Sequence, residues 1–125
     1  MKKMLVMAAA AFMVAALGMA YTAMAAKPMT MTMEGYIIDT KCATANSAKL
    51  AEFAPTHPKE CAMAPDCRKS GYNLYSEGKL WKFDKASSDK VYSFLKKADS
   101  TLHVKVEMEH GKGDTIKLVS ITNAK

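Results

Sequence analysis

The clearest alternation of apolar and polar positions lies near the C-terminal end of the chain. Leu102, Val104, Val106 and Met108 alternate with His103, Lys105, Glu107 and Glu109, the period of a strand buried on one face. Gly111-Lys112-Gly113-Asp114 supplies a turn, and residues 115–121 read as a final strand. Upstream the period changes. Val91, Phe94, Leu95 and Ala98 fall at i, i+3, i+4 and i+7, which predicts a helix with one apolar face, capped by Ser87 or Ser88 and running to about Ala98. Before it, residues 72–76 and 79–83 flank Glu77-Gly78, the signature of a tight hairpin. Residues 30–39 read as a first strand, in which Gly35 marks a bulge or a sharp bend.

Residues 40–70 differ in texture. They are rich in Ala, Pro, Lys and Asn, and they hold every cysteine of the chain. A short helix over residues 47–53, capped by Asn46, is predicted there, with Pro55, Pro58 and Pro65 breaking up the rest. So long an irregular stretch needs something to tie it down. The predicted order is strand, insertion, strand, strand, helix, strand, strand: a mostly β domain with one helix. Five strands with a helix between the third and fourth is the order of a small OB-like barrel, and a bent first strand suits its closure. A generic α+β sandwich is the alternative.

The N-terminal segment follows a different logic. Lys2 and Lys3 precede an uncharged run from Met4 to Ala20, followed by Ala23-Met24-Ala25. A basic start, an apolar middle and an A-x-A exit describe a signal peptide over residues 1–25. A retained membrane anchor is the rival reading; it needs ~20 apolar residues, and no basic stop-transfer cluster follows this run. Cleavage after Ala25 leaves one domain, residues 26–125, exported to a periplasm or the medium with no membrane span. It also lowers the net charge from +6 to +4 and removes six of the eleven methionines. The remaining basic residues are dispersed along the chain, Lys41 to Lys117 among them, with no dense block, a pattern that favours solubility and gives no support to nucleic-acid binding.

Chemistry concentrates on Cys42, His57, Cys61 and Cys67. Thiolates and imidazole suit zinc, or copper with softer ligation, and three Cys with one His is a common structural zinc set. Metal binding would supply the folding free energy the insertion needs. Asp39 is placed to orient His57 as an acceptor, or to form a turn at the strand end. In an exported chain three cysteines also allow one disulfide and a spare thiol, with all three pairings open. Met29, Met31 and Met33 form an M-x-M-x-M series that could serve a soft metal, although alternation makes them ordinary strand-face filler. Tyr72, Tyr75, Trp81 and Phe83 crowd the hairpin, where half must point into the core. His103 and His110 read as solvent-facing. No catalytic triad, phosphate loop or haem motif is present in the sequence, so no enzyme is expected.

Gly35-Tyr36-Ile37-Ile38-Asp39, Cys42, His57, Cys61-Ala62, Cys67 and Gly71 together resemble a family of small exported bacterial proteins with a G-h-h-D-x-x-C…H…C-A…C pattern. The resemblance runs from about Gly35 to Ile121. It implies an OB-like domain in which Asp39, Cys42, His57, Cys61 and Cys67 belong to one site, and it supplies neither ligand nor reaction. The family often has an aromatic after the first cysteine, where Ala43 stands here. The expectation is an exported binding module holding zinc, or less readily copper. The alternative is a disulfide-stapled accessory protein that acts on a protein partner.

Overall fold

The computed structural model describes residues 29–125; the expected signal peptide and its cleavage point lie outside the described residues. Five strands are present: β1 (Thr30–Asp39), β2 (Tyr72–Ser76), β3 (Lys79–Phe83), β4 (His103–His110) and β5 (Thr115–Asn123). They close into a barrel in the order β1-β2-β3-β5-β4, antiparallel except where β3 meets β5 in parallel.

Closure depends on β1, which serves two partners. Its first part, Thr30 to Tyr36, pairs with β4, and its last part, Tyr36 to Asp39, pairs with β2. The hand-over falls at Gly35 and Tyr36. A Cβ on Gly35 would run into the backbone carbonyl of Tyr75, so the glycine is there for close approach of two backbones. The register along β1 is continuous, so of the bulge or sharp bend expected at Gly35 the bulge is absent. The bulge of this sheet lies in the β4–β5 ladder, where the register shifts between Glu107 and Met108.

Alternation then sorts the side chains. Ile37, Leu74, Val104, Val106, Met108, Ile116 and Leu118 fill the interior with Phe83 and Tyr72. Each fully buried aliphatic of this kind is worth about 1.5–3 kcal/mol. A helix over Lys85–Leu95 lays Val91, Phe94 and Leu95 on the same core. Its cap is Asp84, whose carboxylate accepts the Ser87 N–H at 2.8 Å. Ser87 and Ser88 therefore do not start the helix as predicted. They are buried inside it, and their hydroxyls accept the Leu118 N–H at 2.8 Å and the Tyr72 N–H at 3.1 Å. Both donors are backbone N–H groups of strands, and a buried serine hydroxyl accepts from each.

The insertion is helical, contrary to the single short helix predicted for it. It contains α1 (Thr40–Ala45), α2 (Leu50–Phe53), α3 (Lys59–Met63) and α4 (Pro65–Ser70), with 3₁₀ turns over Ser47–Lys49 and Ala54–Thr56; the Lys85–Leu95 helix is α5. Asn46 caps nothing with its side chain there, and bonds back to the Cys42 carbonyl at 2.9 Å instead. The two ends of the insertion are pinned together. The Thr40 N–H donates to Gly71 O at 2.9 Å, and the Lys41 N–H to Ser70 Oγ at 3.1 Å. Two further ties reach the barrel and its helix. Tyr72 donates its hydroxyl to Ala62 O at 2.7 Å, and the Lys59 ammonium reaches Lys97 O and Ser100 O at 2.8 and 2.9 Å, past the C-terminal end of α5. Among the described residues no helix is long and apolar enough to cross a membrane.

Candidate metal centre

Pinning the insertion's ends has a direct consequence for chemistry. Cys42 follows Asp39 by three residues in α1, and Cys67 precedes Gly71 by four in α4. Joining Thr40 to Gly71 packs α1 on α4 and sets the two thiols side by side at the end of β1. The ligand atoms of Asp39, Cys42 and Cys67 all lie within 4.8 Å of one another. Asp39 is fully buried, Cys67 is buried and Cys42 is half-buried.

Asp39 holds this group together from the sequence upward. As the residue before α1 it accepts the Cys42 N–H through Oδ2 at 2.9 Å, the bond that starts the helix. Its other oxygen, Oδ1, faces His57 Nε2 at 3.3 Å. His57 reaches this position because Pro58 follows it. The residue before a proline is driven to extended backbone, and His57 adopts φ −62°, ψ 122°, which ends the 3₁₀ turn and dips its ring inward beside Phe53. The His57–Asp39 contact is close but poorly aligned. Neither His57 nitrogen nor Asp39 Oδ1 has a hydrogen-bond partner, although all three are buried. Unpaired buried polar atoms of this kind cost free energy and call for something to satisfy them.

The protonation states follow from this crowding. Burial alone would push the Asp39 carboxyl up. Contact with His57, the Cys42 N–H and the two thiols outweighs it and holds the group below its usual 3.8. Burial pushes the Cys42 thiol up to about 12, reinforced by the Asp39 charge beside it. Cys67 is raised by burial and by the same carboxylate. Both thiols are therefore protonated near neutrality unless a cation replaces their protons.

The structure separates the predicted residues. Asp39, Cys42 and Cys67 converge, and His57 touches Asp39. Cys61 stands apart from this group: it is exposed on α3, whose buried position is the neighbouring Ala62. Met29 is exposed, whereas Met31 and Met33 are half-buried and packed on the barrel core. Tyr72 and Phe83 belong to the core, with Tyr75 and Trp81 half-buried. His110 is exposed. His103 also faces outward, part-exposed between buried Leu102 and Val104, where it stacks on Tyr36 with ring centroids 4.6 Å apart and pairs with Glu34 at 3.0 Å. A groove of about 790 Å³ is bordered by Arg68, Lys69 and Ser70 of α4 and by the start of α5, and includes none of the four clustered residues.

The three thiols should differ sharply towards an alkylating agent. Iodoacetamide near neutral pH is expected to modify exposed Cys61 roughly tenfold or more faster than Cys42 or Cys67 in the reduced, metal-free protein. Peptide mapping over a time course reads this directly, and equal rates at all three positions would contradict the geometry.

Among known proteins, no family model matches the chain, and no curated protein or solved structure is significantly similar to it.

Proposed function

We propose that this protein is an exported OB-like binding module that holds one metal ion, zinc ahead of copper, through Cys42, Cys67 and Asp39, with His57 as the fourth donor. The observation that carries the reading is a buried group of three ligand atoms within 4.8 Å, flanked by a buried histidine whose nitrogens lack partners. Ligands around a tetrahedral zinc stand about 3.3–3.8 Å apart, given bonds of roughly 2.0–2.3 Å. The three ligand atoms, no more than 4.8 Å apart, need to draw in by at most about 1–1.5 Å to reach that spacing, and the His57 imidazole, which lies outside that group, would swing in as the fourth donor. Two thiolates and a carboxylate would carry three negative charges against the ion's two, and coordination would satisfy Asp39 Oδ1 and one of the two partnerless His57 nitrogens.

The donor chemistry favours zinc over copper. Cuprous copper prefers sulfur-only or sulfur-rich sets, and the methionines that would supply thioethers lie on the barrel core or in solvent. Export is supported by the composition of the first 25 residues, and the strand order β1-β2-β3-β5-β4 with α5 between β3 and β4 supports the OB-like assignment. No group in the cluster is paired as nucleophile and base, and the reading is of a binder with no enzymatic step.

The test is native mass spectrometry of the reduced, processed protein with zinc, followed by competition against a chromophoric chelator. One zinc per chain is expected, on a polypeptide that begins at Ala26. Cys42→Ser and Cys67→Ser should each weaken binding by a hundredfold or more, and Cys61→Ser by less than threefold. His57→Gln should weaken it about 10–100-fold. Equal losses at all three cysteines, or no zinc on the wild type, would sink the proposal. Protein that carries a disulfide as isolated and takes up no zinc once reduced would instead favour a disulfide staple and a role through protein contacts.

A further inference from the structure

We infer that Cys42 and Cys67 are also a redox pair, whose disulfide and whose metal complex exclude each other, so that oxidation closes the metal site and reduction opens it. The second half of this inference rests on the metal reading above; the disulfide itself does not.

Three observations lead to it. The thiols lie within 4.8 Å across two separate short helices. A disulfide needs the sulfurs at about 2.05 Å, so the closing distance is a rotamer change plus a small approach of α1 to α4. Those helices are already clamped at their neighbouring residues by Lys41 N–H to Ser70 Oγ and Thr40 N–H to Gly71 O, which fixes the approach without closing it. The third observation is the difference in access. Cys42 is half-buried, whereas Cys67 is buried.

That asymmetry sets the order of steps. The oxidant is a small-molecule disulfide such as oxidised glutathione. The Cys42 sulfur attacks it, releasing one reduced glutathione and leaving a mixed disulfide on Cys42. The Cys67 sulfur then displaces the second glutathione, forming the Cys42–Cys67 bond. Two protein thiols are oxidised and one glutathione disulfide is reduced to two thiols. The proton lost by each cysteine ends on a glutathione. The product has no thiolate to offer, so the same two sulfurs cannot bind a metal at the same time. Exclusion of this kind is reciprocal: whatever oxidation costs the metal in affinity, metal costs the disulfide in stability.

The experiment equilibrates the processed protein, without oxygen, across a series of reduced and oxidised glutathione mixtures. Parallel series contain no zinc or free zinc buffered at 100 times its measured Kd for the reduced protein. Acid quenching, alkylation and peptide mass mapping then report which cysteines are bonded. Without zinc, an intramolecular Cys42–Cys67 disulfide is expected, with Cys61 alkylated. Zinc should lower the equilibrium constant for that disulfide about 100-fold. If zinc binds but the pair never closes, or only glutathione on Cys61 is found, the redox pair is refuted and the metal reading stands. If the pair closes and zinc fails to bind, the metal reading falls and the gate falls with it. If zinc binds and the disulfide constant does not move, mutual exclusion is refuted.

Discussion

Replacing Asp39 with alanine should destabilise the reduced, metal-free protein by about 2–3 kcal/mol and abolish zinc binding. The carboxylate does several things at once from a fully buried position. It caps α1 through the Cys42 N–H, worth about 1 kcal/mol, and it is the acceptor beside the half-buried Cys42 and buried Cys67 thiols. Removing it strands those two thiols without a partner, which adds about 1–3 kcal/mol, partly offset by relief of the carboxylate's own desolvation. Urea unfolding would show the loss as a lower midpoint at unchanged slope, and thermal unfolding as a fall of roughly 10–20 °C. Asp39→Asn keeps an acceptor for the cap and should lose less stability while still losing most of the zinc affinity. The pH dependence separates the two roles. Because the Asp39 pKa is lowered on folding, its contribution is fully present above the ordinary value of 3.8 and is lost as pH falls through the lowered folded value. Wild-type stability should therefore drop more steeply below about pH 4 than that of Asp39→Asn. Parallel acid limbs for the two proteins would mean the carboxylate is not held in its charged form by the fold.

Gly35→Ala is expected to be the most damaging single methyl in the protein, costing about 3 kcal/mol or more and leaving little folded material at elevated temperature. The added Cβ would meet the Tyr75 carbonyl, and also Ser76 Cβ at 3.0 Å, on the backbone of the partner strand. A flexible side chain could swing away, whereas a ladder backbone cannot without parting β1 from β2. That parting would undo the barrel at the point where β1 passes from β4 to β2, and it would displace Asp39 four residues on. Gly78 makes the control. It lies at φ 74° in the hairpin turn with nothing within 4 Å of its missing Cβ, so alanine there meets conformational strain alone, about 1 kcal/mol. Far-ultraviolet circular dichroism and denaturant midpoints for the two variants would test the ranking; a milder effect at Gly35 than at Gly78 would overturn it.

Much of this molecule can be read locally. Strand periodicity over residues 102–109, the Glu77-Gly78 hairpin and the extent of β1 all follow from alternation and turn chemistry, because each depends only on neighbours along the chain. The apolar face of α5 is equally local, although its start is not: Asp84 outcompetes Ser87 and Ser88, whose hydroxyls are claimed by strand N–H groups that only the packed barrel brings near. The pairing of Asp39 with Cys42 is half visible too, since an acid three residues ahead of a cysteine can cap the helix that carries it.

The rest was decided in three dimensions. Spacing alone groups Cys61 with His57 and Cys67 as ligands of one insertion, but Pro58 leaves His57 outside α3 and the buried side of that helix is taken by Ala62. Cys67 joins Cys42 across 25 residues only because Thr40 and Gly71 are hydrogen-bonded and close the insertion into a loop. The sequence by itself determined which segments are strands, which residue types could hold a metal, and that residues 40–70 needed an anchor. Only the tertiary structure decided which of three cysteines share a site and that Asp39 stands at its centre, because burial and loop closure depend on residues far apart along the chain.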